Sequence, residues 1–229
     1  MKTSDFNYDL DEKFIAQHPI LPRDHAKLML VSRDSMNIQH KIFYDILDEL
    51  KRGDLLVVND TRVRPARLFG HRENKEEKIE VLLLKPLNGK VWECLVKPGK
   101  KMKLHTTIYF EDLLKGEVVH ITEDGSRHIA FTIQGEEEDI EKVFEKIGQM
   151  PLPPYIKETL EEKEEYQTVY SKYIGSAAAP TAGLHFTEEL LDKIQEKGVE
   201  IVPITLHVGL GTFRPVSVED VRKIGRAHV

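Results

Sequence analysis

One cysteine, Cys94, occurs in the 229 residues. An internal disulfide is therefore excluded, and so is any cysteine-rich metal site. Its setting, Trp92-Glu93-Cys94-Leu95-Val96, reads as a strand, so a packed thiol is expected rather than a nucleophile. No apolar run approaches the ~20 residues of a bilayer span, and no membrane partner is expected. Residues 1–6 lack the apolar core of a secretion signal, which makes the cytoplasm the expected compartment. Neither His-x-x-x-His nor His-Glu-x-x-His occurs, so a catalytic metal has no support. The Gly-x-Ser-x-Gly elbow of an esterase is missing, as are internal repeats and low-complexity tails. Large apolar surface stripes, which a structural adaptor would need, are not visible either. Cations are in deficit: the formal charge of −6 argues mildly against a general nucleic-acid binder. The acidic excess sits in residues 136–139 and 158–165, however. Arg62, Arg64, Arg67 and Arg72 form one basic cluster, and Lys97, Lys100, Lys101 and Lys103 a second. Such segregation would let an anionic partner meet a basic face.

The periodicities that are present divide the chain into an α/β main domain carrying an inserted small antiparallel β-barrel. Residues 1–66 form the first part of the main domain, 67–150 the barrel, and 151–229 the second part. In the first part, residues 43–50 have helical spacing, with Lys51-Arg52-Gly53 as a stop signal. The apolar run 54–59 follows as a strand suited to a sheet covered on both faces. Five strand-like runs fill the insertion, at 78–86, 91–97, 106–110, 116–122 and 127–134. Several alternate apolar with polar, and Asn88-Gly89, Pro98-Gly99 and Asp124-Gly125 mark turns between them. An amphipathic helix is expected over 137–147, then a proline-rich linker over 149–156. The second part predicts a helix over 188–197 stopped by Gly198, and a strand over 199–206. A capped helix is expected from Val216 to Lys223. Residues 224–229 do not continue the strand–loop–helix pattern, so the main domain is expected to lack its final part.

Three polar segments flank the predicted strands. In Asn59-Asp60-Thr61-Arg62-Val63-Arg64-Pro65-Ala66-Arg67, Asp60 can hydrogen-bond ribose hydroxyls or act as a base, and Arg62 can grip an anion with two parallel bonds. A capped turn with an internal Asp–Arg pair explains the same residues. The run 175–187 is poor in bulk, so it should pack little core while allowing close approach of backbone to a ligand. Thr181 and His185 are its reactive members, and Thr187 is placed to cap the following helix. A tight turn packed on a neighbour, with a structural histidine, is the alternative. In Thr205-Leu206-His207-Val208-Gly209-Leu210-Gly211-Thr212-Phe213-Arg214-Pro215, His207 lies at a strand end, Gly209 and Gly211 free the backbone, and Arg214 supplies fixed charge. Gly-Leu-Gly alone is a weak signal. Gln17-His18-Pro19 with Arg23-Asp24 reads best as a surface turn.

Taken together, Asn59-Asp60-Thr61-Arg62-Val63-x-Pro65-Ala66-Arg67-Leu68, the run 175–187 and His207-Val208-Gly209-Leu210-Gly211-Thr212-Phe213-Arg214-Pro215-Val216 resemble the S-adenosylmethionine:tRNA ribosyltransferase-isomerase family. Asp5-Phe6-x-Tyr8-x-Leu10, Ile15-Ala16-Gln17-His18-Pro19 and Met150-Pro151-Leu152-Pro153-Pro154-Tyr155-Ile156 look like the same family, in matching order to about Val221. The resemblance implies an α/β domain with an inserted barrel. It also implies transfer and isomerisation of the ribosyl part of S-adenosylmethionine onto 7-aminomethyl-7-deazaguanine at the tRNA wobble position. Epoxyqueuosine would form, with adenine and methionine released. The donor is a substrate, and no cofactor or metal is implied; the partners are S-adenosylmethionine and a tRNA of queuine-type anticodon. Carried onto this chain, His185 and His207 are the expected proton carriers, with Asp60 as ribose contact or second base. Arg62, Arg67 and Arg214 would bind anionic groups, and Thr181, Gly183, Gly209, Gly211 and Thr212 would line the donor site. The family continues beyond the matched region, so weak or absent catalysis is expected, and an inert fragment that binds only RNA or nucleotide is the alternative.

Overall fold

The computed structural model describes residues 1–158, 160, 162–209, 216 and 218–224. In chain order its strands begin with β1 (Lys27–Val31) and β2 (Ile38–Ile42). Helix α1 (Ile46–Glu49) and strands β3 (Leu55–Asn59) and β4 (Thr61–Val63) follow. Next come β5 (Arg67–Gly70), β6 (Ile79–Asn88), β7 (Val91–Lys97), β8 (Thr107–Phe110), β9 (Leu114–Ile121), β10 (Arg127–Ile133) and helix α2 (Ile140–Ile147). Strand β11 (Tyr173–Ser176), helix α3 (Glu188–Glu196) and strand β12 (Glu200–Ile204) complete the regular elements. The chain forms two units: Met1–Arg62, Pro153–Ile174 and Ala179–Val229 make one, and Val63–Leu152 with Gly175–Ala178 make the other.

The second unit is a six-stranded antiparallel sheet of order β5-β6-β7-β10-β9-β8. Its edges nearly meet: His71 N donates to Tyr109 O at 2.9 Å and Tyr109 N donates back to His71 O at 2.8 Å. The alternation read from sequence sends every second side chain inward. Leu68, Ile79, Val81, Leu83, Cys94, Ile108, Phe110, Leu114, Val118 and Ile129 are all buried in this core. Cys94 is fully enclosed, and burial pushes its thiol pKa well above the ordinary value, as suits a packing residue. Helix α2 adds Val143 and Phe144 to the same core. Phe144 meets Trp92 edge-on at 5.3 Å and Phe131 at 5.4 Å. The helix starts three residues later than its hydrophobic period suggests. The Glu137 carboxylate accepts from the backbone N–H of Glu138 and Asp139, both at 3.1 Å, and Asp139 becomes the N-cap instead. Strand β5 escaped the sequence reading because four residues are too few to show a period.

In the first unit, β3 and β12 pair in parallel, from Leu55↔Glu200 to Asn59↔Ile204. Helix α3 begins as expected, with the Thr187 hydroxyl accepting from Leu190 N at 3.1 Å. Its Leu190 and Ile194 pack with Phe43, Phe186 and Val199 into a small core. Four readings are corrected here. β3 is not covered on both faces: Leu55 and Val57 are 57% and 52% exposed. Apolar stripes do occur at the surface, since Met29, Val31 and Ile38 on the β1–β2 hairpin are also more than half exposed. The helix over 43–50 is one 3-10 turn running into α1, and Gly53, at φ +89°, serves the next turn rather than the helix end. The C-terminal helix is a single 3-10 turn, Val221–Lys223, capped by Asp220.

Candidate functional site

Parallel pairing of β3 with β12 brings two of the polar segments to one place, the carboxyl ends of adjacent strands. That is where open α/β sheets collect ligands. The side chain of Asn59 extends the ladder: its Oδ1 accepts from Leu206 N at 3.0 Å and its Nδ2 donates to Leu206 O at 2.9 Å. The amide thus stands in for a peptide unit and holds the exit of β12. Beyond it, the Thr205 hydroxyl donates to Asp60 Oδ1 at 2.6 Å, and Thr61 Oγ1 lies 2.8 Å from His207 Nδ1. Asp60 and Thr61 are buried, while His207 is exposed. The Asp60 carboxylate keeps its second oxygen free of any hydrogen bond to a described residue. Engaged at Nδ1, the exposed His207 ring keeps Nε2 free of hydrogen bonds to described residues, an arrangement that suits proton transfer.

The small-residue run behaves differently from its expectation. It divides between the units, with Gly175–Ala178 in the barrel unit. Ser176, Ala177, Ala178 and Ala179 are buried, so the run packs rather than stays open. Gly183 supplies the expected close approach, but to protein: a Cβ there would lie 2.2 Å from Tyr170 Oη and 3.0 Å from Thr168 Cγ2. Thr181 is exposed at the start of a 3-10 turn that carries His185. The His185 ring lies 5.2 Å from that of Phe43 and is half-buried.

Burial holds the His185 pKa below its ordinary value, so the imidazole is neutral near pH 7. The unfolded chain takes up this proton first on acidification. The stability contributed here is therefore whole above about pH 6.5 and lost as pH falls through the lower folded value. We expect the urea midpoint to drop less between pH 7 and pH 5 in His185→Gln than in the unaltered chain. Equal drops would remove His185 as the titrating group.

The arginines expected to bind anions are largely neutralised within the molecule. Arg62 pairs with Glu164 and donates to Ser171 Oγ at 3.0 Å, not to Asp60. Arg64 makes two bonds to Glu141, at 2.9 and 3.0 Å, and stacks over Trp92 at 4.7 Å. Arg67, in the barrel unit, lies 3.1 Å from Glu80, and Arg72 pairs with Glu77. In the second cluster Lys101 also pairs with Glu77, whereas Lys97, Lys100 and Lys103 have no ion pair among the described residues. Arg23 and Asp24 are not a mere surface turn. Arg23 donates to the Glu164 carbonyl at 2.8 Å, and buried Asp24 accepts from the Thr187 hydroxyl at 3.0 Å. Gly209 is exposed with open space around its Cα. Gly211, Thr212 and Arg214 lie outside the described residues.

Sequence reasoning passed over the segment that ties these parts together. Lys172 N donates to the Asp60 carbonyl at 2.7 Å, Ser171 meets Arg62, and Thr168 and Tyr170 flank Gly183. The signal was modest: Tyr166-Gln167-Thr168-Val169-Tyr170 is an aromatic, uncharged stretch directly after the acidic run.

The family model described as queuosine biosynthesis protein matches residues 3–227. An S-adenosylmethionine:tRNA ribosyltransferase-isomerase of Finegoldia magna is 62% identical over 222 residues, covering 97% of this chain and 63% of the relative. Its namesake from Desulfitobacterium hafniense is 54% identical over 224 residues, covering 97% of this chain and 65% of its own. The chain thus spans less than two thirds of the length of these curated relatives. The crystal structure of S-adenosylmethionine tRNA ribosyltransferase from Thermotoga maritima is 35% identical, covers 90% of this chain and 59% of its own, and superposes with a TM-score of 0.37.

Proposed function

The chain belongs to the queuosine biosynthesis protein family, and from that premise we propose that it carries the donor site of an S-adenosylmethionine:tRNA ribosyltransferase-isomerase. The reaction moves the ribosyl group of S-adenosylmethionine onto the 7-aminomethyl-7-deazaguanine of a tRNA wobble position. The observation that carries this reading is the joined exit of β3 and β12. There the buried Asp60 carboxylate is held by Thr205 and His207 by Thr61, each keeping one atom free of hydrogen bonds to described residues.

The chemistry asks for these groups. The attacking amine must be neutral, so a base accepts its proton as the new carbon–nitrogen bond forms. The sulfonium is already a good leaving group and needs alignment more than acid help. A second proton leaves the ribose carbon that bears the sulfonium, the glycosidic bond breaks with a proton going to adenine, and the carbon–sulfur bond breaks to release methionine as the carbocycle and its epoxide close. His207 and the neutral His185 are the proton carriers, and the free Asp60 oxygen accepts from a ribose hydroxyl. Arg62 is available to an anionic group only by giving up Glu164. Lys97, Lys100 and Lys103 offer unpaired charge to tRNA phosphates.

Adenine release from S-adenosylmethionine, measured with a tRNA bearing the 7-aminomethyl base and with protein in excess over donor, tests the proposal. Adenine formed in proportion to tRNA supports it. Donor binding without adenine would make the chain a nucleotide-binding fragment, and neither binding nor release would end the reading.

A further inference from the structure

Two hydroxyls beside Gly183 make no hydrogen bond to any described residue. Thr168 Oγ1 is wholly buried. Tyr170 is half-buried, and its Oη lies 2.2 Å from where a residue-183 Cβ would be; it makes no hydrogen bond to a described residue and, unlike Thr168 Oγ1, is not enclosed. A tyrosine whose only task were to fill space against Phe186, 6.2 Å from its ring, would lose nothing as phenylalanine. An enclosed hydroxyl without a partner among the described residues, as at Thr168, is costly, and native proteins retain few without a use. The segment bearing both hydroxyls also bonds Asp60 through Lys172 N and Arg62 through Ser171, and Gly183 precedes His185 by two residues. The pair therefore adjoins both halves of the candidate site.

We infer that Tyr170 and Thr168 are positioning residues for the nucleoside part of the donor, their hydroxyls donating to a purine ring nitrogen or ribose oxygen; the inference rests on the donor-site reading above. Burial pushes the Tyr170 pKa up to about 12, so its hydroxyl stays a donor across the working range. The absence of a side chain at Gly183 is then required to let Tyr170 Oη stand at this position rather than to admit the ligand directly.

Equilibrium dialysis of S-adenosylmethionine, with adenosine and methionine as competitors, is run beside thermal unfolding for Tyr170→Phe, Gly183→Ala and the double variant. Tyr170→Phe should unfold with the unaltered chain yet bind the donor at least about tenfold more weakly, the loss of one good hydrogen bond to a ligand. Competition by adenosine should weaken and competition by methionine should not. Gly183→Ala should unfold earlier. Removing the Tyr170 oxygen should recover part of that loss, because Thr168 Cγ2 at 3.0 Å and ring 170 at 3.3 Å remain the nearest atoms, without recovering donor affinity. Unchanged donor affinity in Tyr170→Phe would overturn the inference and leave the donor site standing. An unaltered chain that binds no donor would overturn both.

Discussion

His207→Ala is expected to slow single-turnover adenine release by about 10²- to 10⁴-fold, the usual contribution of a positioned general acid or base. Donor affinity should change little, because His207 is exposed and, among the described residues, its side chain hydrogen-bonds to Thr61. The companion variant Thr61→Val keeps the imidazole but removes the hydroxyl engaged at Nδ1. That contact selects the tautomer and the ring orientation. A smaller rate loss is therefore expected for Thr61→Val, with an altered pH–rate profile that simple loss of packing would not produce. Full turnover in His207→Ala would take this residue out of the mechanism and leave His185 as the remaining histidine of the proposal.

Phe144→Ala is expected to destabilise the barrel unit by about 3–5 kcal/mol, the range for a fully buried phenylalanine replaced by alanine. Phe144 is wholly enclosed, and its edge-on contacts with Trp92 and Phe131 connect α2 to two barrel strands. Marginal domain stability makes such a loss a large fraction of the total. Trp92 is the sole tryptophan, so its fluorescence during urea unfolding reports this unit alone. An unchanged midpoint would mean that α2 is not part of the barrel core.

The barrel was legible because period-two alternation and turn dipeptides are local signals. Ile129 and Phe131 point inward whatever lies elsewhere in the chain. The sheet of the first unit was less so. A continuous apolar run such as Leu55-Leu56-Val57-Val58 predicts cover on both faces, yet cover depends on what packs there, which no local pattern encodes. The site divides the same way. Asp60 and His207 were readable as strand-exit residues, and parallel pairing, a long-range fact, was what joined them. The arginine cluster misled because its carboxylate partners, Glu164, Glu141, Glu80 and Glu77, lie 5 to 102 positions away in sequence for the four pairs. Tyr170 and Thr168 carried no motif at all; only the space beside Gly183 identifies them.

Photolabelling with an azidoadenosyl analogue of S-adenosylmethionine, followed by peptide mapping, addresses the central claim most directly. If the exits of β3 and β12 and the turn around Gly183 enclose one adenosyl group, label should fall within residues 59–62, 168–187 or 204–209 and be displaced by unlabelled donor. Displaceable label confined to the barrel strands, residues 79–133, would contradict it.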